Sequence, residues 1–235
     1  MLPVAAWPSS AGALVAAQAE LARAVPAPWP MPAQRPAIGA CSVCFPRGAT
    51  GSGAAGDPAW AAATVLRGRR VLADAIVAGE AAGPYAAGLL ASREGPLLEA
   101  PLRALVVAPD VVLVDATGRD HPRRAGLALH LGAVLGRPTV GVTHRPLLAD
   151  GDWPEDVRGA STPLVLDGEL VGAWLRTRAG ARPLAIHAAW RTDVATAIEL
   201  ALTATRRHRT PEPLRRARRL ARTARADALG LRSPG

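Results

Sequence analysis

Apolar positions along the chain follow two periods, and their alternation predicts most of the elements. Ile38 to Phe45, Trp60 to Leu66 and Arg70 to Val77 are short apolar-rich runs. The last two flank Arg67-Gly68-Arg69, so the three predict an antiparallel meander. Between residues 84 and 107, Leu89, Leu90, Leu97, Leu98, Leu102 and Leu105 recur at helical spacing, predicting a helix interrupted near Gly95-Pro96. Val111 to Val114 is nearly all β-branched, as in a strand covered on both faces. Arg124 to Leu135 predicts a helix, with Pro122 fitting a first turn and Asp120 available as its cap. Thr139 to Val142 is a second buried strand. Strand, helix, strand in that order implies parallel pairing with a right-handed crossover.

Further strands are predicted at Pro163 to Leu166, Leu170 to Thr177 and Leu184 to Ala188. Helices are predicted at Val194 to Thr205 and Pro211 to Leu229. The sum is one α/β domain over residues 37–229: an antiparallel meander followed by parallel strands, flanked by helices. Residues 1–36 form an Ala/Pro-rich N-terminal segment with one helix from Ser10 to Val25, broken after Pro26. Residues 230–235 are a tail.

Charge changes the picture more than composition does. The formal net charge is +9, and all 28 basic residues are arginine. Such a balance favours polyanions. Ten of the arginines lie between Arg206 and Arg232, facing only Glu212 and Asp227, which describes either a solvated helix face or one that tracks phosphates. One Phe and one Tyr are too few for a surface on which bases stack. Two cysteines make no disulfide framework, which suits a reducing cytoplasm. No apolar window spans a bilayer and no secretory signal is evident, so a cytoplasmic protein without membrane contact is expected.

Candidate chemistry gathers around Asp115, which ends the apolar strand and faces the basic loop His121-Pro122-Arg123-Arg124. A carboxylate there can hold a divalent cation against a phosphate, or cap the turn that follows. Arginine forks such as Arg123 grip phosphate at two points. Glu94, on a helix whose apolar side faces the core, reads by default as half of a solvated pair with Arg93. Cys41-Ser-Val-Cys44 suggests zinc or redox chemistry in isolation, but residues three apart on a strand point to opposite faces.

These residues stand in a familiar order. Pro84-Tyr85-x-x-Gly88, Arg93-Glu94, Pro109-Asp110 before Asp115-x-x-Gly118-x-x-His121-Pro122-Arg123, and Pro138-Thr139-Val140-Gly141-Val142 resemble the endonuclease V family. The resemblance runs from about Ile38 to Ala221 and includes Pro211-Glu212-Pro213. It implies a ribonuclease H-like fold and a nuclease that uses Mg²⁺, with Mn²⁺ as an alternative. The expected partner is DNA or RNA containing inosine, cut 3′ to that base by a monomer. Asp115 is then a catalytic metal ligand and Glu94 a second acid. Tyr85 is the wedge beside a flipped base, with Gly88 in the same motif. Gly118 and His121 help line the base pocket, and Arg123 completes that block.

Departures from the family pattern cluster at functional positions. Cys41 occupies the place of a first-strand aspartate, His144 that of a lysine, and Trp190 that of a histidine. Ala87 and Ala116 replace a proline and a glycine. A thiol is a soft, mostly protonated ligand where Mg²⁺ needs a hard anion. Asp193 is a possible substitute acid, with His187 and Asp57 as other nearby groups. Two readings follow: a working nuclease with an altered metal shell, or a relative that binds nucleic acid without cutting. A cysteine-dependent activity at Cys41 is a third, opposed by the charge of Asp115.

Overall fold

The meander forms as the apolar runs predict. A computed structural model describes residues 7–46 and 53–230, so part of the glycine-rich stretch, residues 48–52, lies outside the described residues. Strand β1 (Ile38–Cys44) pairs antiparallel with β2 (Pro58–Arg67), and β2 with β3 (Arg70–Glu80). Helix α2 (Leu90–Ala104) then leads to β4 (Val111–Val114), α3 (Leu127–Leu135) and β5 (Thr139–Thr143). Strand β4 lies parallel to both β1 and β5. After β5 come β6 (Ser161–Leu166), β7 (Glu169–Leu175) and β8 (Leu184–Ala188), all antiparallel to their neighbours. One mixed sheet results, in the order β3-β2-β1-β4-β5-β8-β7-β6.

Helices cover both faces. The completely buried β4 divides its side chains between them, as strand alternation requires. Val112 and Val114 join a cluster with α2 and α3, whereas Val111 and Leu113 join one with α4 (Val194–Thr203) and α5 (Glu212–Ala228). The N-terminal helix α1 (Ala11–Arg23) belongs to the first cluster through Leu14 and Leu21. Burying each leucine contributes about 2 kcal/mol, enough to hold this short helix against the body.

Four expectations need correction. Helix α2 is not interrupted at Gly95-Pro96 but runs through Pro96 and Pro101. Burial of Leu97, Leu98 and Leu102 outweighs the lost backbone bonds, and Gly95 has a packing reason: a Cβ there would lie 2.4 Å from the Trp7 ring. Helix α3 begins at Leu127, not Arg124, because Arg124 has φ 55°. Asp120 does not cap it. The buried Asp120 carboxylate accepts instead from the amides of Leu147 (2.7 Å), Leu148 (2.8 Å) and Ala149 (2.9 Å), pinning the loop after β5. Finally, Arg93 is not solvated. It is 5% exposed, donates to the carbonyls of Ala54 and Gly83, and pairs with Asp57 at 2.6 Å.

Candidate active site

The carboxyl ends of β1, β4 and β5 bring four of the expected residues together. Cys41 pairs with Val114, so its side chain lies next to the strand end that carries Asp115. The thiol is 1% exposed. Burial first, then the charges of Asp115 and Glu94, push it far above the ordinary cysteine range, so it is protonated at neutral pH. Glu94, in the second turn of α2, is pushed up to about 7 by burial and then by Asp115, with Arg93 opposing. The thiol and the two carboxylates therefore share one electrostatic neighbourhood.

Two carboxylates that repel one another suit a hard divalent cation that keeps several waters and shares phosphate oxygens. The protonated Cys41 does not suit it. Among the described residues no group of three or more His, Cys, Asp and Glu side chains has the arrangement of a metal cage.

The cationic side of the site comes from α5, where no single residue stood out. Arg218 of α5 donates from Nη2 to Asp115 Oδ2 at 2.6 Å. The two side chains are 21% and 42% exposed, so the pair contributes at most about 1 kcal/mol and is readily exchanged. His144 follows β5. Burial, then Arg209 and Arg218, lower its pKa while Asp115 raises it, leaving a neutral imidazole at pH 7.

Beside Asp115 opens a pocket of about 280 Å³. Tyr85, Gly88, His121, Thr117, Leu127 and Thr143 line it, and Asp115 itself forms part of the wall. Tyr85 is half exposed, which leaves its ring free at the rim. Gly88 has φ +72°, a conformation that favours glycine, and its carbonyl is a shared acceptor. That carbonyl accepts from Gln18 Nε2 (3.1 Å), His121 Nε2 (3.2 Å) and Arg123 Nη2 (2.5 Å). Arg123 Nε donates on to Gln18 Oε1 at 2.5 Å. The backbone N–H of Arg123 donates to His121 Nδ1 at 3.2 Å, which leaves the proton on Nε2. Burial, then Arg123, holds His121 down to about 4, so it is neutral.

Gln18 was not apparent as a site residue. It is a single amide on an Ala-rich helix, and its partners lie 70 and 105 residues away.

Other candidates lie elsewhere. Gly118 is not among the pocket-lining residues; a Cβ there would come within 2.1 Å of the Ala188 carbonyl oxygen, so the glycine permits close packing on β8. Trp190 sits at the opposite end of β5 from His144. Its carbonyl accepts from the Thr139 amide at 3.0 Å, and its ring packs on the first core cluster. Thr139 is level with Val112, three residues before Asp115, which is about 10 Å along the strand. Asp193 is the N-cap of α4 and accepts from Thr196 N at 2.7 Å. Asp57 is engaged by Arg93. His187 is fully buried, shares a hydrogen bond with Thr143 Oγ1 at 2.8 Å, and is held neutral by burial.

The architecture and the sequence point to the same relatives. The Endonuclease V family profile matches residues 36–219. The chain is 42% identical to the endonuclease V of Streptomyces coelicolor over 158 residues, covering 67% of this chain and 68% of that one. The crystal structure of the Streptomyces avermitilis endonuclease V superposes with a TM-score of 0.84 at 35% identity, covering 95% of this chain and 96% of that one. The fold also matches that of an endonuclease V from Ciona intestinalis, solved with a DNA containing an inosine followed by a ribo-adenosine. There the TM-score is 0.76 at 20% identity, with 92% and 98% of the two chains covered. On the profile match and the identity to its relatives, this chain belongs to the endonuclease V family.

Proposed function

We propose that the chain is an endonuclease V-type nuclease of the cytoplasm that acts as a monomer on DNA containing deoxyinosine, or on inosine in RNA. It would hydrolyse a phosphodiester 3′ to that base with a divalent metal, Mg²⁺ or Mn²⁺, at Asp115 and Glu94. The observation that carries this reading is continuity: Asp115 is itself part of the wall of the pocket that Tyr85, Gly88 and His121 line.

Hypoxanthine pairs weakly, so extruding it costs less than extruding a matched base. Tyr85, exposed at the rim, fits the space that an extruded base leaves in the stack. The neutral His121, both of its ring nitrogens engaged by Gly88 and Arg123, presents a rigid ring to the base. A bound divalent ion supplies Lewis-acid polarisation of the phosphoryl oxygen and a more acidic water. Glu94, titrating near 7, can take up or release a proton at neutral pH, and the neutral His144 can accept one. The test is incubation with a strand containing one deoxyinosine, and with its inosine RNA counterpart, in Mg²⁺ or Mn²⁺. A single nick 3′ to the base is expected, and its loss in Asp115→Ala.

Two observations favour a second reading, in which the protein binds such strands without cutting. Cys41 brings a protonated thiol where the family carries an acid, and Arg218 already neutralises Asp115. Inosine-selective binding with no nick in either metal would decide for it.

A further inference from the structure

We propose that α5 carries the phosphate backbone of the bound strand away from Asp115, along a channel from Arg218 past Arg215 and Arg219 to Arg206 and Arg207. This rests on the nucleic-acid reading of the site.

The arginines of α5 divide into two sets. Arg216 pairs with Asp74, and Arg225 donates to the Phe45 carbonyl at 2.9 Å; these dock the helix on the meander. Arg215, Arg218, Arg219 and Arg222 are spaced three, four and seven apart, which places them on one stripe. Arg219 and Arg222 form no ion pair with any described residue, and Arg215 meets only Glu212 of its own first turn, at 3.2 Å. Like charges one turn apart oppose helix formation, so the stripe is suited to an external polyanion rather than to the fold.

The stripe also lines space. Arg215, Arg218, Arg219 and Arg222 border a pocket of about 450 Å³ with Thr210 and Thr223. Arg215 and Arg219 also border a groove of about 770 Å³ that continues to Arg206 and Arg207. Glu212 is the single acid among the described residues lining that groove, and no Phe, Tyr or Trp lines it. A cationic channel without aromatic platforms holds backbone phosphates and leaves bases unread. Its inner end is fixed by Arg218, whose contact with Asp115 puts the channel next to the bond to be cut. The occupant is therefore the strand that carries the scissile phosphate.

The test is binding of a fluorescein-labelled single-stranded oligonucleotide, with and without deoxyinosine, measured by anisotropy in EDTA across a salt series. Neutralising both residues in Arg215→Gln/Arg219→Gln is expected to flatten the slope of log K against log salt by about 1.4, roughly 0.7 per phosphate contact. The loss of affinity should be equal for both oligonucleotides, and Arg215→Lys/Arg219→Lys should restore the slope. An unchanged slope in the Gln pair, with an unchanged melting temperature, overturns the channel. Wild-type protein that nicks while the slope is unchanged loses the channel alone. Protein that never nicks but shows the expected slope loses the nuclease reading alone. If Arg206→Gln/Arg207→Gln leaves the slope unchanged, the outer half of the path is wrong.

Discussion

Under the proposed function the site has two walls that differ in kind: a recognition wall around Gly88, and a cutting wall where Asp115 borders the pocket and shares an electrostatic neighbourhood with Glu94 and Cys41. On the recognition wall, the Gly88 carbonyl accepts from three side chains, and each donor is fixed by a further contact or by burial. On the cutting wall, Asp115 meets a single exchangeable guanidinium, Glu94 is raised to about 7, and Cys41 is a buried thiol. The recognition wall is preorganised by its hydrogen bonds, two of them donated by the Arg123 guanidinium. Cutting depends on charge that the fold itself works against. The two should therefore respond differently to mutation.

The largest difference is expected from Asp115→Ala. It should lower single-turnover nicking by about 10³-fold, the loss of several kcal/mol of transition-state stabilisation. Selectivity of binding for inosine, measured in EDTA, should change little, because the recognition wall is intact. A parallel loss of both would show that the walls are not separable. Next in size is Cys41→Asp, which returns a hard ligand to β1. Nicking should rise by about 10²-fold in Mg²⁺. Without metal the variant should melt lower, since a third acid is then buried beside Asp115 and Glu94, and added Mg²⁺ should recover the melting temperature. If cutting does not rise, Arg218 rather than Cys41 limits the site.

Much of this contrast was legible beforehand. The strands were, because buried β-runs such as Val111–Val114 leave a continuous apolar signature. Asp115, Glu94, Tyr85 and His121 stood in a recognisable order, and the structure gathers them. Partners distant in sequence were not legible. Asp120 looks like a helix cap in its local context, yet its acceptors serve amides 27 to 29 residues away. Nothing in a helix with six arginines selects Arg218. Trp190 shows the converse: its substitution looked damaging at the site, whereas the half-buried side chain packs against the core at the far end of β5.

An effect of similar size, opposite in sign to most mutations, is expected from Glu94→Gln in metal-free protein. The folded pKa of Glu94, about 7, lies above its ordinary 4.5, so the folded state binds the extra proton between those values. Its contribution is therefore most favourable below pH 4.5 and is lost as pH rises through 7. The buried histidines run the other way. His121 and His130 are held down to about 4, so their contribution is complete above 6.5 and is lost as pH falls toward 4. Comparing the variant with wild type cancels the histidines. Glu94→Gln should gain stability relative to wild type from pH 4.5 to 7, reaching about 3 kcal/mol and staying there above pH 7. Urea unfolding at pH 5 and pH 8 in EDTA measures it. An equal difference at both values would mean that Glu94 is not held protonated by the fold.

The smallest effect probes the recognition wall itself. Gln18 binds Gly88 and Arg123 at once, donating to one and accepting from the other. Truncation in Gln18→Ala leaves the Gly88 carbonyl its two other donors but takes the acceptor from Arg123 Nε. A donor left without its partner in a half-buried setting costs about 1–2 kcal/mol, visible as a lower midpoint in urea. Gln18→Glu separates the two halves of that loss. It keeps an acceptor for Arg123, now as a carboxylate, but sets an oxygen against the Gly88 carbonyl where an amide N–H had been. If the Arg123 contact dominates, Glu is at least as stable as Gln. If anchoring the turn that carries Tyr85 dominates, Glu is worse than Ala and selectivity for inosine falls with it. That second outcome would make α1, which lies outside the matched family region of residues 36–219, part of how the protein recognises its base.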